Sequence, residues 1–272
     1  MQYRNLEVVV ISDVHLGTYG CHAEELLYYL KSLRIKTLII NGDFIDGWSF
    51  SKSYFPESHF AVIRYILKMV SRGTRVVYIT GNHDEFLRKY SDVYLGKLQI
   101  VDKYILQLDG LRYWFFHGDV FDYSTKGFNK IIAKIGGKGY DMLILFNRFV
   151  NRILLKFGRE KYSLSKNIKN VVKQAVKFIH DFEAKSAESA IEHGYDYVVC
   201  GHIHQPKIKE YWTAKGKIVY MNSGDWIENL SALEYVDGEW SLFSFPNKVV
   251  KTQKKNKELV LVSELNQTLV TT

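Results

Sequence analysis

Glu7-Val8-Val9-Val10-Ile11-Ser12-Asp13-Val14-His15 joins a continuous apolar run to an aspartate and a histidine two residues apart. Four more segments repeat the form. Thr37–Ile40 runs into Gly42-Asp43, Arg75–Ile79 into Gly81-Asn82-His83-Asp84, Tyr113–Phe116 into His117-Gly118-Asp119, and Tyr197–Cys200 into Gly201-His202-Ile203-His204. Apolar runs of this length, bounded by glycine, read as strands buried on both faces. Their polar ends are expected to gather at one edge of a sheet, where open α/β folds bind ligands. Between them lie helical patterns over Ala23–Leu33 and His59–Ser71, whose apolar residues recur at intervals of three and four and give each helix a face to lay on the sheet.

The residue types set the chemistry. Carboxylate and amide oxygens suit hard divalent cations and imidazole suits transition metals, so a mixed Asp, Asn and His set selects manganese, with iron or zinc as alternatives, over calcium. Asp13, His15 and His204 are assigned to one ion, Asn82, His117 and His202 to the other, and Asp43 bridges them. Two ions about 3.5–4 Å apart acidify a shared water and clamp both oxygens of an in-line displacement at phosphorus, so no protein nucleophile is required. Asp13 and Asp43 offset only half the charge of two divalent ions, which leaves a site suited to an anionic substrate. His83, outside both metal sets, is expected to contact phosphoryl oxygens or to protonate the leaving group, with Asp84 orienting its ring. The glycines at 42, 81, 118 and 201 are expected to turn the chain so that the next side chain faces the metals. His22, His59, His180 and His193 read as structural or surface histidines, and Asp109-Gly110 and Asp237-Gly238 as hairpin turns.

In their order the blocks resemble the calcineurin-like metallophosphoesterase superfamily. That resemblance implies an α/β fold of two packed mixed sheets flanked by helices. Ile11-Ser12-Asp13-Val14-His15-Leu16-Gly17, Gly42-Asp43-Phe44-Ile45-Asp46-Gly47-Trp48 and Gly81-Asn82-His83-Asp84-Glu85-Phe86 are similar to the UDP-2,3-diacylglucosamine pyrophosphohydrolases of lipid A synthesis. The implied activity is metal-dependent hydrolysis of UDP-2,3-diacylglucosamine to a lipid monophosphate and UMP. The best-known members of that group carry arginine where His83 stands, and the stretch after Asp119 also differs, reading Val120-Phe121-Asp122. A phosphodiesterase or phosphomonoesterase of other substrate range, nucleases included, is the enzymatic alternative. A non-catalytic scaffold on the same fold is the other; the intact ligand set argues against it.

With 272 residues, 47% of them hydrophobic, and only three prolines, the chain reads as one domain over residues 1–246, carrying a helical cap insertion at about 121–164 and a basic tail over 247–272. Two cysteines, Cys21 and Cys200, read as reduced thiols of a cytoplasmic protein. Glu7–Ile11 is already the first strand, so no cleaved leader is expected, and the longest apolar run, Met142–Phe146, is too short to span a bilayer.

Lys126–Lys177 holds thirteen Lys and Arg against two acids, an excess larger than the whole chain's net charge of +8. Asp141–Phe157 and Ser165–His180 read as basic amphipathic helices. Three readings stand for this segment. Its apolar faces pack on the core beneath solvated lysines; or Phe128–Phe157 caps the metals, with Phe146, Phe149 and Ile153 lining an acyl pocket and a basic rim against anionic lipid on the inner face of the cell membrane; or the charge meets nucleic acid, although no stacking motif or binding module accompanies it. The tail's five lysines read as solvated, with attachment to an anionic membrane as the alternative.

Overall fold

The computed structural model describes residues 3–48, 54–124 and 164–246, with side chains at all of these except 122–124 and 164–172. β1 (Arg4–Ile11) lies within a seven-stranded sheet with β2 (Leu33–Asn41), β3 (Arg75–Ile79), β4 (Val93–Leu95), β5 (Leu98–Val101), β11 (Ser231–Val236) and β12 (Glu239–Ser244), in the order β12-β11-β1-β2-β3-β5-β4. A five-stranded sheet runs β6-β7-β8-β10-β9, from β6 (Lys103–Leu108), β7 (Leu111–Phe116), β8 (Tyr197–Cys200), β9 (Lys207–Thr213) and β10 (Gly216–Asn222). β1, β2, β3 and β5 are parallel, as are β7, β8 and β10, and antiparallel strands flank both sets. Among the described residues three α-helices cover the outside: α1 (Ala23–Lys31), α2 (Glu57–Ser71) and α3 (Leu164–Glu192).

The period of two in each apolar run explains why both of its faces are buried. Val9 and Ile11, Leu38 and Ile40, and Val76 and Tyr78 point outward to Leu26, Leu30, Val62 and Ile66 of α1 and α2. Their neighbours Val8, Val10, Ile39, Val77 and Ile79 point inward and meet Tyr113, Phe115, Val199 and Met221 of the second sheet. The second sheet's outer face, Phe116, Val198, Cys200, Ile218 and Tyr220, packs on Phe182, Ala187 and Ala190 of α3. The result is four layers, with the carboxyl ends of β1, β2, β3, β7, β8 and β10 at one edge.

Boundaries differ from the sequence reading where capping overrides apolar spacing. α1 stops at Lys31 because Ser32 closes it, its N–H donating to the Tyr28 and Tyr29 carbonyls and its hydroxyl to Tyr29. Leu33 then opens β2, four residues before the expected start of that strand. α3 runs past His180 to Glu192. Both predicted hairpins form, with Asp109 and Gly110 at φ 52° and 79°, and Asp237 and Gly238 at 52° and 85°, the left-handed pair that a two-residue turn requires. Cys21 and Cys200 are free thiols. Asp141–Phe157, with Phe146, Phe149 and Ile153, and the tail over 247–272 lie outside the described residues. Among the described residues no helix is long and apolar enough to cross a membrane.

His59 is one of the predicted structural histidines. It is 2% exposed, and its Nδ1 accepts a hydrogen bond from the Gly17 N–H at 2.9 Å, which ties α2 to the loop after β1. Accepting that bond requires the neutral ring, and burial lowers its pKa below the ordinary histidine value. The unfolded chain therefore takes up a proton near pH 6.5 while the folded chain does not. Stability contributed by this residue is complete above about pH 6.5 and falls as the pH drops below it. In urea denaturation the wild-type protein should lose more stability between about pH 7 and pH 5 than His59→Gln, whose amide oxygen can keep the Gly17 bond; parallel curves would exclude this role.

Candidate metal centre

The loops after five strands converge at the common edge and are tied to one another. Asp13 N–H donates to the Gly42 carbonyl at 3.1 Å and His15 N–H to the Asp43 carbonyl at 2.9 Å. His83 N–H donates to Asp43 Oδ1 at 2.8 Å, and Gly47 N–H to the His83 carbonyl at 2.9 Å. Gly201 N–H donates to the His117 carbonyl at 2.9 Å, His117 Nδ1 to the Asn41 carbonyl at 2.9 Å, and His202 N–H to Asp13 Oδ2 at 3.0 Å.

The aspartates and histidines named as candidate ligands are brought together. Ligand atoms of Asp13, His15 and His204 lie within 4.8 Å of one another, as do those of Asp43, His117 and His202, and those of His15, Asp43 and His83. Asp43 Oδ2 sits in the middle, 3.1 Å from His117 Nε2 and 4.0 Å from both His15 Nε2 and His83 Nε2. His204 Nε2 is 3.2 Å from Asp13 Oδ1. His15 Nε2, His117 Nε2 and Asn82 Oδ1 are buried without a hydrogen-bond partner. Buried polar atoms are ordinarily satisfied, so orphaned imidazole nitrogens beside carboxylates, with an orphaned amide oxygen in the following loop, fit a site for divalent cations.

The electrostatics agree. Burial pushes the Asp13 carboxyl up, but His204 and then His117 outweigh it and hold it at about 2. Burial likewise opposes charging of the rings, yet Asp43 lifts His117 well above the ordinary range and Asp13, followed by Asp225, lifts His204 to about 9. Without metal these rings keep protons where cations would sit, so binding metal must release them.

Backbone geometry follows from the same crowding. Asp13, His15, Asp43, His202 and His204 have φ of 51°, 53°, 52°, 68° and 53°, a left-handed conformation uncommon outside glycine that collects at functional sites. The glycines divide into two kinds. Gly42 and Gly118 are left-handed, at 85° and 125°, as expected. Gly81 and Gly201 are not left-handed, and their requirement is clearance: a Cβ at Gly81 would lie 2.2 Å from Asp43 Oδ1, and one at Gly201 2.6 Å from Asp13 Oδ2.

One assignment needs correction. Asp84 does not orient His83. Its carboxylate is buried and accepts from Gly81 N–H at 2.6 Å, Phe44 N–H at 2.9 Å and the Tyr78 hydroxyl at 2.6 Å, so it braces the loops from behind. Asp46 faces His83 instead, with Oδ2 3.1 Å from His83 Nδ1 and 3.4 Å from His15 Nδ1. Trp48, 63% exposed, lies over the His83 ring with centroids 4.1 Å apart.

Sequence reading also passes over Asp225, which is fully buried, with Oδ2 3.7 Å from His204 Nδ1. The signal was present. Asn222-Ser223-Gly224-Asp225 follows an apolar strand in the form of the other blocks, and β10 is parallel to β8, so it reaches the same edge. There Ser223 Oγ meets Ser12 Oγ at 2.7 Å, and Trp226 N–H donates to the Asp13 carbonyl at 3.2 Å.

Known proteins resemble this chain at low identity. UDP-2,3-diacylglucosamine hydrolase of Aliivibrio fischeri (strain MJ11) is 22% identical over 245 residues, covering 87% of this chain and 98% of the relative. The protein of that name from Neisseria meningitidis (serogroup C, strain FAM18) is 27% identical over 243 residues, covering 86% and 95%. Among solved structures, an archaeal phosphodiesterase aligns with 15% identity and a TM-score of 0.41, over 87% of this chain and 98% of that one. The sequence pattern of the calcineurin-like phosphoesterases matches residues 6–206, and the chain belongs to that family of metal-dependent phosphoester hydrolases.

Proposed function

We propose that this protein hydrolyses the pyrophosphate bond of UDP-2,3-diacylglucosamine, giving a lipid monophosphate and UMP, with Asp13, His15 and His204 holding one ion, Asn82, His117 and His202 the other, and Asp43 shared. The observation that carries the hydrolytic part is the convergence of orphaned buried nitrogens of His15 and His117 on the Asp13 and Asp43 carboxylates. Support for the substrate comes from relatives bearing that name, matched over nearly their whole length at low identity. Manganese is the proposed metal, with iron or zinc as alternatives. When bound, the two ions supply Lewis acidity and activate a water for in-line attack at phosphorus.

The chain's own side chains do the rest. The Asp46 carboxylate, with Oδ2 3.1 Å from His83 Nδ1, favours the protonated ring, whose Nε2–H would then donate to the phosphoryl oxygens or the leaving oxygen. Asn82 Oδ1 is buried without a hydrogen-bond partner and free to accept a cation, and Trp48 covers the His83 ring against water. The basic excess of Lys126–Lys177 suits anionic headgroups and supports peripheral association with the inner face of the cell membrane as part of this reading.

The manganese-loaded protein, assayed against UDP-2,3-diacylglucosamine, a generic phosphodiester and a phosphomonoester, should prefer the first. Shortening the acyl chains should then lower kcat/KM by about 0.8 kcal/mol per buried methylene. Turnover of only the generic esters, with no response to acyl length, would exclude the lipid substrate.

Asp43→Asn should depress turnover more than His15→Ala, because both metal positions would lose the charge of the carboxylate they share. Metal content and kinetics measured on the same preparations decide this, and near-normal turnover of Asp43→Asn would remove the bridging assignment. His83→Ala should retain two ions while slowing turnover by about 10²–10⁴-fold. A halved metal content would instead make His83 a ligand.

A further inference from the structure

We infer that Asn229 and Asp225, on the turn between β10 and β11, are positioning residues for His204: they clamp its backbone and its ring so that the imidazole stays aimed at Asp13. The inference rests on the dinuclear reading above, which makes His204 a ligand.

His204 is poorly placed by its own loop. Its φ of 53° is a left-handed conformation that is costly for any residue but glycine, and His202, two residues earlier, has 68°. Its side chain is also 35% exposed, whereas those of His15 and His117 are 6% and 0% exposed, so packing restrains it least of the three.

The neighbouring strand supplies the restraint. β10 runs parallel to β8 and ends at Asn222, so the turn over residues 223–230 arrives beside the loop that follows β8. Asn229 Nδ2 carries two hydrogens and uses both, donating to the His204 carbonyl at 2.9 Å and to Asp225 Oδ2 at 2.5 Å. The first bond fixes the peptide plane that follows His204. The second ties the amide to a fully buried carboxylate, which is itself held because its Oδ1 accepts from the Ile227 N–H at 2.8 Å and the Glu228 N–H at 2.5 Å. Asp225 Oδ2 also faces His204 Nδ1 at 3.7 Å, an ion-pair distance wider than a hydrogen bond, while His204 Nε2 lies 3.2 Å from Asp13 Oδ1.

One carboxylate oxygen therefore meets His204 twice, through Asn229 at the backbone and directly at the ring. The same turn reaches Asp13, since Trp226 N–H donates to its carbonyl at 3.2 Å and Ser223 Oγ meets Ser12 Oγ at 2.7 Å. Both members of the His204–Asp13 pair are thus referred to a single turn. Partners that orient a ligating imidazole are typically worth about 10–100-fold in metal affinity.

Calorimetric titration of the metal-stripped full chain with Mn2+ tests this, because it reads ligand placement without turnover. Asn229→Ala should weaken one of two ions by about 10–100-fold and leave the other as in the wild-type protein. The ion affected should be the one that His204→Ala weakens, and in the His204→Ala background Asn229→Ala should have no further effect, since it acts through that ring. A double variant, Asp225→Asn with Asn229→Asp, exchanges donor and acceptor. It can restore a bond between the two side chains but none to the His204 carbonyl, so it should keep the melting temperature of the stripped wild-type protein and still show the weakened ion. Wild-type affinity for both ions in Asn229→Ala or the double variant, equal weakening of both ions, or an undiminished effect in the His204→Ala background would overturn the inference and leave the dinuclear reading in place. Binding of fewer than two ions by the wild-type protein would overturn that reading and the inference with it.

Discussion

The candidate ligands lie against bare backbone, and most of the surrounding structure follows from that close approach. Asp43 occupies the space a side chain at position 81 would take, Asp13 that of position 201, and His117 that of position 42. Such proximity is possible only because the loops interlock, each backbone N–H or carbonyl being used by the next block. Loops held this way cannot be adjusted one at a time. A change at Gly42, Gly81 or Gly201 would be felt as a displaced carboxylate or imidazole rather than as a local kink.

Interlocked loops need rigid supports, and the buried strands provide them. The five left-handed residues at the site carry strain of about 1–3 kcal/mol each in general terms, which persists only where surrounding structure over-determines the conformation. Each of the strands that feed them is packed on both faces, so its end has no freedom to relax. Tyr78 and Asp84 show how packing and site are joined, because the tyrosine is core on the outer face of β3 while its hydroxyl steadies the carboxylate that braces the Gly81 and Phe44 backbone.

Much of this was legible in the sequence, for identifiable reasons. Strands buried on both faces advertise themselves as uninterrupted apolar runs, and a metal ligand set needs particular residue types, so Asp13, His15, Asp43, Asn82, His117, His202 and His204 could be named as a group. Residues that act one step removed were harder to read. Asp46 stood in a quoted motif without a role, since nothing local distinguishes a carboxylate facing two histidines from one in a turn. Asp84 was assigned to its sequence neighbour His83, although a side chain at a tight bend turns away from the residue before it and bonds backbone brought in from β2 and β3. Asp225 was missed because Lys217 and Asn222 make β10 look half-solvated, and only the sheet order places its end beside β8.

The two sheets contribute unequally named but mutually dependent halves of the site. Asp13, His15, Asp43 and Asn82 belong to loops of the seven-stranded sheet, and His117, His202 and His204 to those of the five-stranded one. Either ion would therefore join residues far apart in the chain across the seam of the sandwich, and unfolding at this edge would require giving the ion up. Stability then follows mass action in free metal, increasing by about 2.7 kcal/mol when the ion is present at a hundred times its dissociation constant. The lifetime of the folded chain thereby becomes a function of the metal supply around it, and scarcity would act on the amount of folded protein as well as on its turnover.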